Sequence, residues 1–290
     1  MKGWIVVNSF LKTDKFSELY TFFLNSAKKL NVELELLSGD KLVSVVQDDF
    51  LGFTLPDFVI FWDKDVYLAK RLEAKGVKIY NSADSIETCD NKILTTLKLN
   101  GKVNMPKTLV VPKTFENVGY NNFDFLTKAE TTLGYPFVIK EAFGSFGQQV
   151  YLATDRLKAE SIFNKISYKD ALIQEYISTS YGKDLRVVVV GDKVITCMLR
   201  VNENDFRSNV TNGGKAYRYE ASDEQKEIAI KACKHIGLTF AGVDLLFGEN
   251  DTPYVCEVNS NPHFKSTYLT TGVDASMEIL KYIVNELNAR

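Results

Sequence analysis

The sequence predicts an α/β unit at the start of the chain and an α+β arrangement in the rest. In the first 80 residues, short apolar runs alternate with segments whose apolar residues recur at helical spacing, which favours a parallel sheet covered by helices. Later in the chain, strand-like runs follow one another directly, which is typical of antiparallel sheets. The length of 290 residues agrees with more than one packed unit, because single cores stop growing near about 250 to 300 residues.

The N-terminal elements alternate between strand and helix. Residues 3–7 form an apolar strand-like run, and Phe16 begins an apolar face that continues at helical spacing to Leu30. The next expected elements are strands at 32–37, 58–62, 77–80 and 108–111, and helices at 66–75 and 91–99. We place the first boundary near residue 90, so that residues 1–90 form an N-terminal α/β domain.

The rest of the chain is expected to form two lobes. Residues 136–140 and 150–153 flank a glycine-containing segment, as in a hairpin whose loop closes over a ligand. The later expected elements are strands at 172–177, 185–190, 194–200, 241–247 and 254–259, and helices at 223–236 and 274–287. We assign residues 91–177 to a central lobe and residues 178–290 to a C-terminal lobe.

The composition excludes several classes of protein. Hydrophobic residues make up 45% and charged residues 25%, as in an ordinary globular protein. The 35 Lys and Arg residues against 37 Asp and Glu residues give no basic excess, so nucleic acid is not expected as a partner. Four cysteines without paired spacing fit a reducing compartment, and no apolar run reaches the roughly 18 residues of a membrane span. We therefore expect a cytoplasmic protein with no membrane partner.

Two acids in the last predicted hairpin indicate a metal site. A turn centred between Asn250 and Asp251 sets Asp244 opposite Glu257, where two like charges oppose sheet formation unless a cation lies between them. Alternation puts Asn259 on the same face as Glu257, and these oxygen ligands suit Mg²⁺, with Mn²⁺ as an alternative. A solvated hairpin carrying ordinary surface acids explains the spacing equally well.

Cationic residues suggest a pocket for a polyanion. Lys140 ends an apolar run and precedes Gly144 and Gly147, whose backbone N–H groups can approach a phosphate. An ordinary hairpin loop is the simpler interpretation of this segment alone, and single arginines are usually surface residues. Taken together with the downstream acids, the lysine, the glycines and a group of arginines describe a site for phosphate and carboxylate groups; the arginines are Arg186, Arg200 and Arg207.

The order of these motifs resembles the ATP-grasp superfamily, and within it the RimK-like carboxylate-amine ligases. The resemblance covers roughly residues 81–272. It is carried by Asp90-Asn91-Lys92, Lys140 with its loop, Gln174-Glu175-Tyr176-Ile177, Lys183-Asp184-Leu185-Arg186, Asp205-Phe206-Arg207-Ser208-Asn209, Ala241-Gly242-Val243-Asp244 and Glu257-Val258-Asn259.

The resemblance implies an ATP-grasp fold in which an N-terminal domain precedes two lobes that clasp ATP. It implies that the acids hold magnesium and that the arginines steady the transferred phosphoryl group and the substrate carboxylate. The residues it assigns to ATP are Lys92 and Lys140 at the phosphates, Gly144, Ser145 and Gly147 in the covering loop, Gln174, Glu175, Tyr176 and Ile177 at the adenine, Asp184 at the ribose and Asn209 as a further contact.

The sequence departs from the family pattern after the last motif. RimK-like proteins usually read a small residue and then Ser-Pro-Gly after the Glu-x-Asn motif, whereas Ser260-Asn261-Pro262-His263-Phe264-Lys265 follows here. Bulky groups therefore lie next to the expected substrate cleft, which leaves the substrate open.

The resemblance implies an ATP-dependent ligase that forms an amide from a carboxylate and an amine through an acylphosphate. By analogy with one branch of the family, the added amino acid is L-glutamate. Two alternatives stay open: a nucleotide-binding regulatory protein without turnover, and a ligase whose acceptor is a peptide or protein terminus. The substrates are small molecules or peptides, and a homo-oligomer is compatible with the sequence.

Two further residues have uncertain roles in that reaction. His263 is a candidate general base because histidine titrates near neutral pH, although a lone histidine is more often structural. Cys256 immediately precedes Glu257, so alternation predicts that its thiol faces the opposite side of the strand as a packed core residue.

Overall fold

Three sheets organise the protein. The computed structural model describes residues 1–47, 50 and 52–289. Within them, one sheet has the strand order β2-β1-β3-β4, a second has β5-β8-β6-β7, and a third has β11-β10-β9-β12-β13. The pairing in the first sheet is parallel, and the pairing in the other two is antiparallel. The predicted succession of a parallel α/β unit and an α+β region is therefore confirmed.

The first sheet and its helices form the N-terminal unit (residues 1–80). Both faces of this sheet are covered, so all five residues of β3 are buried. Ile5 and Ile60 face one core together with α1, and Val6 and Val59 face the other together with α2. The elements are β1 (Lys2–Val7), α1 (Asp14–Lys29), β2 (Glu33–Ser38), β3 (Phe58–Trp62), α2 (Val66–Ala74) and β4 (Ile79–Tyr80).

The second sheet, called the central sheet, lies in the middle of the chain. Its apolar face packs against two helices around the fully buried Phe137 and Phe163. Two short helices connect the N-terminal unit to this sheet, and the side chain of Asn91 caps the second of them by accepting from the backbone N–H of Ile93 at 2.9 Å. The elements are α3 (Ala83–Asp90), α4 (Lys92–Leu99), β5 (Thr108–Val110), α5 (Phe125–Leu133), β6 (Phe137–Glu141), β7 (Val150–Ala153), α6 (Arg156–Ile166) and β8 (Ala171–Glu175).

The third sheet, called the C-terminal sheet, has two different faces. Leu185 and Val187 of β9 face α7, which begins with a capping box at Ser222 and ends at the left-handed Gly237. On the other face, Val188 and Val190 join the core of the N-terminal unit. The elements are β9 (Lys183–Val190), β10 (Lys193–Val201), β11 (Lys215–Arg218), α7 (Asp223–Ile236), β12 (Phe240–Phe247), β13 (Pro253–Asn259), α8 (Lys265–Thr271) and α9 (Ala275–Asn288).

Most of the predicted helices and strands are present in the structure. The strands at 58–62 and 150–153 and the helix at 223–236 are confirmed to the residue, and the other predicted elements are confirmed within a few residues. The predicted hairpin is confirmed, because β6 pairs with β7 in antiparallel fashion. The expectation that strands follow one another directly was wrong elsewhere in the central sheet, where α5 separates β5 from β6 and α6 separates β7 from β8. The elements missed are α3, α5, α6, α8 and β11. The division of the chain at residues 90 and 177 stays a prediction.

In the described part of the chain, every helix is too short or too polar to cross a bilayer.

Asn81 ties the N-terminal unit to the C-terminal sheet. Its side chain is fully buried and donates to the carbonyls of Phe240 and Ser260, both at 2.9 Å. Its Oδ1 accepts from the backbone N–H groups of Thr239 at 2.7 Å and Phe240 at 3.2 Å. The Asn81 amide therefore provides hydrogen-bond partners for four backbone groups, which lie at the start of β12 and just after the end of β13.

We expect Asn81→Ala to lower the free energy of unfolding by about 3 kcal/mol, because it leaves several buried backbone groups without partners. Chemical denaturation measures this difference. The matched control Asn288→Ala removes an exposed amide near the end of α9 and is expected to change stability by less than about 0.5 kcal/mol. A loss below about 1 kcal/mol for Asn81→Ala would contradict the role of this side chain.

Candidate active site

One half of the inner face of the C-terminal sheet is polar. Cross-strand pairing sets Arg186 of β9 beside Met198 of β10 and Asp244 of β12, and it sets Asp184 beside Arg200. The same pairing sets Asp244 opposite Glu257 of β13. The residues that share this face are therefore Asp184, Arg186, Met198, Arg200, Asp244, Glu257 and Asn259.

Two arginines and two aspartates on this face form an arginine–aspartate ladder (Asp184, Arg186, Arg200 and Asp244). Arg186 donates to both carboxylate oxygens of Asp244. Its Nε donates to Oδ1, and its Nη2 donates to Oδ2 at 2.8 Å. Arg200 donates from Nε to Asp184 at 2.7 Å and lies 3.0 Å from Asp244 through Nη2. All four side chains are buried, and the pairing offsets the cost of burying their charges.

The ladder favours the charged forms of Asp244 and Arg200. Burial opposes ionisation of Asp244, but the charges and hydrogen bonds of Arg186 and Arg200 outweigh it, and the pKa of Asp244 lies below its ordinary value. Burial likewise opposes the charge of Arg200, but Asp184 and Asp244 raise its pKa. Asp244 is therefore negative and Arg200 positive at neutral pH.

A β-bulge sets the register of the predicted metal hairpin. Phe247 pairs with Pro253 and Leu245 with Val255, so the turn is centred on Asn250. An extra residue in β13 then shifts the register between Leu245 and Asp244. The predicted pairing of Asp244 with Glu257 is confirmed, but the turn is centred half a residue earlier than predicted and the bulge supplies the difference.

The bulge reverses the expectation for Cys256. Val255 and Val258 both pack into the core beneath α7, although they are three residues apart. Cys256 is the extra residue, and its Sγ lies 3.4 Å from Nζ of Lys140. The prediction that this thiol faces away from Glu257 was therefore wrong, because strict alternation does not hold across a bulge.

The predicted metal ligands are oxygen-bearing groups on one face. In the described residues, no three acidic, histidine or cysteine side chains form a cluster suited to a metal, so such a site needs the amide of Asn259. This amide is buried, and its Nδ2 has no partner among the described residues. Asp244 is shared with two arginines, and Oε1 of Glu257 lies 3.8 Å from Lys92. The donor set fits a hard cation such as Mg²⁺.

The two predicted phosphate lysines come from different elements and approach the same acid-bearing strand. Lys92 begins α4 and donates to the carbonyl of Gly144 at 3.0 Å. Burial lowers its pKa, although the nearby Glu257 opposes this effect. Lys140, at the end of β6, donates to Oε1 of Gln174 at 2.6 Å. The structure brings both lysines together with Gln174 and Glu257 around a small cavity.

The residues predicted at the adenine lie at the end of β8 and just after it, and the residue predicted at the ribose lies near the start of β9. The Oε2 of Glu175 accepts from the backbone N–H of Lys107 at 3.0 Å, so its side chain stays within the central sheet. Tyr176 and Ile177 are half-buried, and the Tyr176 ring contacts Phe206 edge-on. Asp184 faces Arg200 through the ladder. Its contact with a ribose, like the adenine contacts, stays a prediction.

The glycine loop (residues 142–149) is held from three sides. Arg207 donates to the carbonyl of Gly147 at 2.8 Å, and Asp205 orients the same guanidinium at 2.7 Å. Lys64 lies 3.4 Å from Oγ of Ser145. Gly144 has φ of 145°, and a Cβ there would lie 2.3 Å from the Gln149 amide, so this position requires glycine. The loop is closed over the polar face.

A cavity of about 570 Å³ lies between the polar face, the glycine loop and the N-terminal unit. Arg186, Arg200, Asn209, Glu257 and Asn259 line it from the C-terminal side. Of the predicted residues, Gly144 and Ser145 close it from the loop. Of the predicted catalytic and metal residues, Arg186, Arg200, Glu257 and Asn259 thus line one space of the size of a small-molecule site, whereas Arg207 and Asp244 do not line it.

The N-terminal unit supplies cavity residues that sequence reasoning missed. Asn8 and Asp63 follow β1 and β3, and Lys15 lies on α1 with its ammonium 3.4 Å above the ring of Phe146. Ligands of parallel sheets bind outside the carboxyl ends of the strands, so the positions of Asn8 and Asp63 after two strands were the available signal.

His263 lines the same cavity. Its Nε2 lies 3.0 Å from the carbonyl oxygen of Lys15, and its ring meets Phe16 edge-on. Burial lowers the pKa of His263, which leaves the imidazole neutral at pH 7. Its role as general base stays a prediction.

The chain is similar to several known proteins. A model of the RimK-like ATP-grasp domain matches residues 90–283. An uncharacterized protein, MG012 of Mycoplasma genitalium, is 31% identical over 264 residues, which are 89% of this chain and 91% of that protein. Beta-citrylglutamate synthase B of Danio rerio is 30% identical over 278 residues, which are 90% of this chain and 67% of that protein.

A solved structure has the same fold. The ATP-grasp ligase PsnB, in complex with a minimal precursor, Mg and ADP, superposes with a TM-score of 0.72 at 17% identity, over 99% of this chain and 97% of that one. At this identity the similarity concerns the fold, which confirms the expected two lobes preceded by an α/β unit.

We expect Arg207→Met to loosen the glycine loop, because it removes the donor to Gly147 while keeping the side-chain bulk. Limited chymotrypsin digestion should then cut the loop near Phe143 and Phe146 at least about five times faster than in the wild type. The control Arg218→Met removes an exposed arginine that donates to the Thr270 carbonyl, and its loop should be cut at the wild-type rate. Equal rates for both variants would show that Arg207 does not hold the loop.

We expect all four thiols to react slowly in the folded protein. Burial raises the pKa of Cys89, Cys197 and Cys256, and it raises that of Cys233 to about 12. A raised thiol pKa leaves less thiolate at a given pH, so iodoacetamide at pH 8 should modify the folded chain at least ten times more slowly than the unfolded chain. Mass spectrometry counts the modified sites, and rapid labelling of the half-buried Cys256 would contradict its raised pKa.

Proposed function

The chain belongs to the RimK-like ATP-grasp family, and we propose on that basis that it joins the amine of L-glutamate to the carboxylate of a small acid at the expense of ATP. The observation that carries the proposal is the polar face of the C-terminal sheet, where Arg186, Arg200 and Glu257 border the 570 Å³ cavity and Glu257 also borders the small cavity that Lys92 and Lys140 line. The name of the Danio rerio relative, a beta-citrylglutamate synthase, supports glutamate as the amine and a polycarboxylate as its partner.

The reaction has two steps. In the first, an oxygen of the substrate carboxylate attacks the γ-phosphorus of ATP, which forms an acylphosphate and releases ADP. In the second, the amine attacks the acyl carbon, loses a proton and expels phosphate, which leaves an amide. The first step brings two negative groups together, and the second needs the amine aligned with the acyl carbon, so the main tasks of the protein are to position the reacting groups and to offset negative charge.

The residues of the site suit these tasks. We assign the phosphates to Lys92 and Lys140, whose ammonium groups lie 3.8 Å from Glu257 and 3.4 Å from Cys256, respectively. Arg186 and Arg207 would offset the charge that develops on the transferred phosphoryl group, and the ladder holds Arg186 in place. The glycine loop would exclude water, which otherwise hydrolyses the acylphosphate.

We assign Asp244, Glu257 and Asn259 to Mg²⁺, with Mn²⁺ as the alternative. When bound, such an ion neutralises charge on the phosphate oxygens. The Oδ1 of Asn259 would bind the ion, while its unpartnered Nδ2 is a donor that suits a phosphate oxygen.

The experiment is incubation with Mg-ATP, L-glutamate and a panel of small carboxylic acids that includes citrate. Ligation predicts a product whose mass is the sum of the two substrates minus water, formed with equal amounts of ADP and phosphate. ADP formation that depends on neither substrate would contradict the proposal.

Glu257→Gln is expected to lower kcat/KM at least about 100-fold, because it removes a negative ligand beside the phosphates. Glu249→Gln changes an exposed glutamate in the turn of the same hairpin and should keep kcat/KM within twofold of the wild type. The pair of variants is compared in the coupled ADP assay. Retention of activity in Glu257→Gln would exclude Glu257 from the site.

A further inference from the structure

The N-terminal wall of the cavity carries an acid that the reaction as described does not use. Asp63 follows β3, is 9% exposed and lines the cavity opposite the polar face. It forms no ion pair with any side chain that the structure describes, because its neighbour Lys64 pairs with Asp90. A buried carboxylate without a cation is costly unless a ligand supplies one.

The surroundings hold Asp63 in a fixed position. Asn8 donates from Nδ2 to both carboxylate oxygens, at 3.1 and 3.3 Å, and the backbone N–H of Lys64 donates to Oδ1 at 2.7 Å. The Oδ1 of Asn8 accepts from the backbone N–H of Phe10 at 2.9 Å, which orients the amide. A carboxylate accepts about four hydrogen bonds, so acceptor capacity remains on Oδ2.

A second acceptor lies beside Asp63. Asn261 donates from Nδ2 to the backbone carbonyl of Asp63 at 2.9 Å, which fixes the orientation of its amide. Its Oδ1 is buried and has no hydrogen-bond partner among the described residues, although the residue lines the cavity. A buried acceptor of this kind calls for a donor.

Together these two groups form a site that favours a positively charged group over a negatively charged one. Asp63 and the Oδ1 of Asn261 are both acceptors, so they suit an ammonium group, which has three donors and a positive charge. The aromatic rings of Phe16, Tyr20 and Trp62 line the same region and favour a cation further. A carboxylate would be repelled here and attracted to Arg186 and Arg200 on the other wall.

The position of Asn261 relates this site to the chemistry. Asn261 comes two residues after Asn259, at a place where the sequence departs from the usual family pattern. Its bond to Asp63 joins the wall of the N-terminal unit to the end of β13. A group held by both residues is therefore next to the end of the acid-bearing strand.

We propose that Asp63 and Asn261 form the subsite that binds the amine of the amino-acid substrate and orients it toward the acyl group. The proposal rests on the proposed ligase function with L-glutamate as the amine. Asp63 and Asn261 then determine specificity for an amine-bearing substrate, and the change at position 261 from the family pattern is part of that specificity.

The test compares L-glutamate with glutarate, which has the same two carboxylates and lacks the amine. In Asp63→Asn, the KM for L-glutamate should rise at least tenfold, because a charge-assisted hydrogen bond is lost, while the inhibition constant of glutarate stays within twofold. Asn261→Ser should raise the KM for L-glutamate about fivefold and leave glutarate unchanged. The control Asp65→Asn removes an exposed acid two residues away and should change neither value, because asparagine also caps α2.

A second assay separates this proposal from the proposed function. Hydroxylamine traps an acylphosphate as a hydroxamate and needs no amino acid. The wild type and Asp63→Asn should form hydroxamate from the carboxylic acid at rates within twofold, whereas only the wild type should form the amide efficiently at low L-glutamate. A wild type that forms neither hydroxamate nor amide across the panel refutes the ligase itself.

Three results would overturn the subsite while leaving the ligase intact. They are an unchanged KM for L-glutamate in Asp63→Asn, equal weakening of L-glutamate and glutarate, and equal loss of hydroxamate and amide. Thermal unfolding of each variant checks its folding. If Asp63→Asn does not fold, Asn261→Ser decides, and an unchanged KM for L-glutamate in that variant refutes the subsite.

Discussion

The arginine–aspartate ladder is the constraint on which the rest of the site depends. Asp184, Arg186, Arg200 and Asp244 are all buried, and removal of any one would leave an uncompensated charge in a medium of low polarity. A hydrophobic replacement of the whole set would pack as well. The ladder is useful because it holds Arg186 rigidly at the edge of the cavity, so little reorganisation is needed when a negatively charged substrate enters.

The site is assembled from three sheets, and single polar side chains join them. Asn81 bonds four backbone groups at the ends of the β12–β13 hairpin, and Asn261 bonds the backbone of Asp63. Arg207 and Lys64 approach the glycine loop from opposite sides. The distances between the acid-bearing strand, the loop and the N-terminal wall are therefore set by buried hydrogen bonds as well as by the shared apolar core.

The sequence was sufficient to predict a strand or helix where one physical pattern dominated. The buried strand at 58–62 has an uninterrupted apolar run, and α7 has a capping serine, a regular apolar face and a terminal glycine. The position of the turn predicted the pairing of Asp244 with Glu257. The helix α5 was missed because it is short and turns only Leu126 and Ala129 inward, whereas the residues that α6 buries do recur at helical spacing and the signal was overlooked. The contribution of Asp63 was missed because a single acid after a strand has no motif, and the orientation of Cys256 depends on a bulge that alternation does not foresee.

The bulge adds Cys256 to the hairpin as a residue whose side chain lies outside the alternation of its neighbours. Without that residue, Val255, Glu257 and Val258 would alternate in the ordinary way, and the two acids would still face each other. Evolution is thus free to exchange the side chain at 256, which borders Lys140, without disturbing the geometry of its neighbours. A substitution at this single place changes the surroundings of the Lys140 ammonium group and leaves the pairing of the two acids as it is.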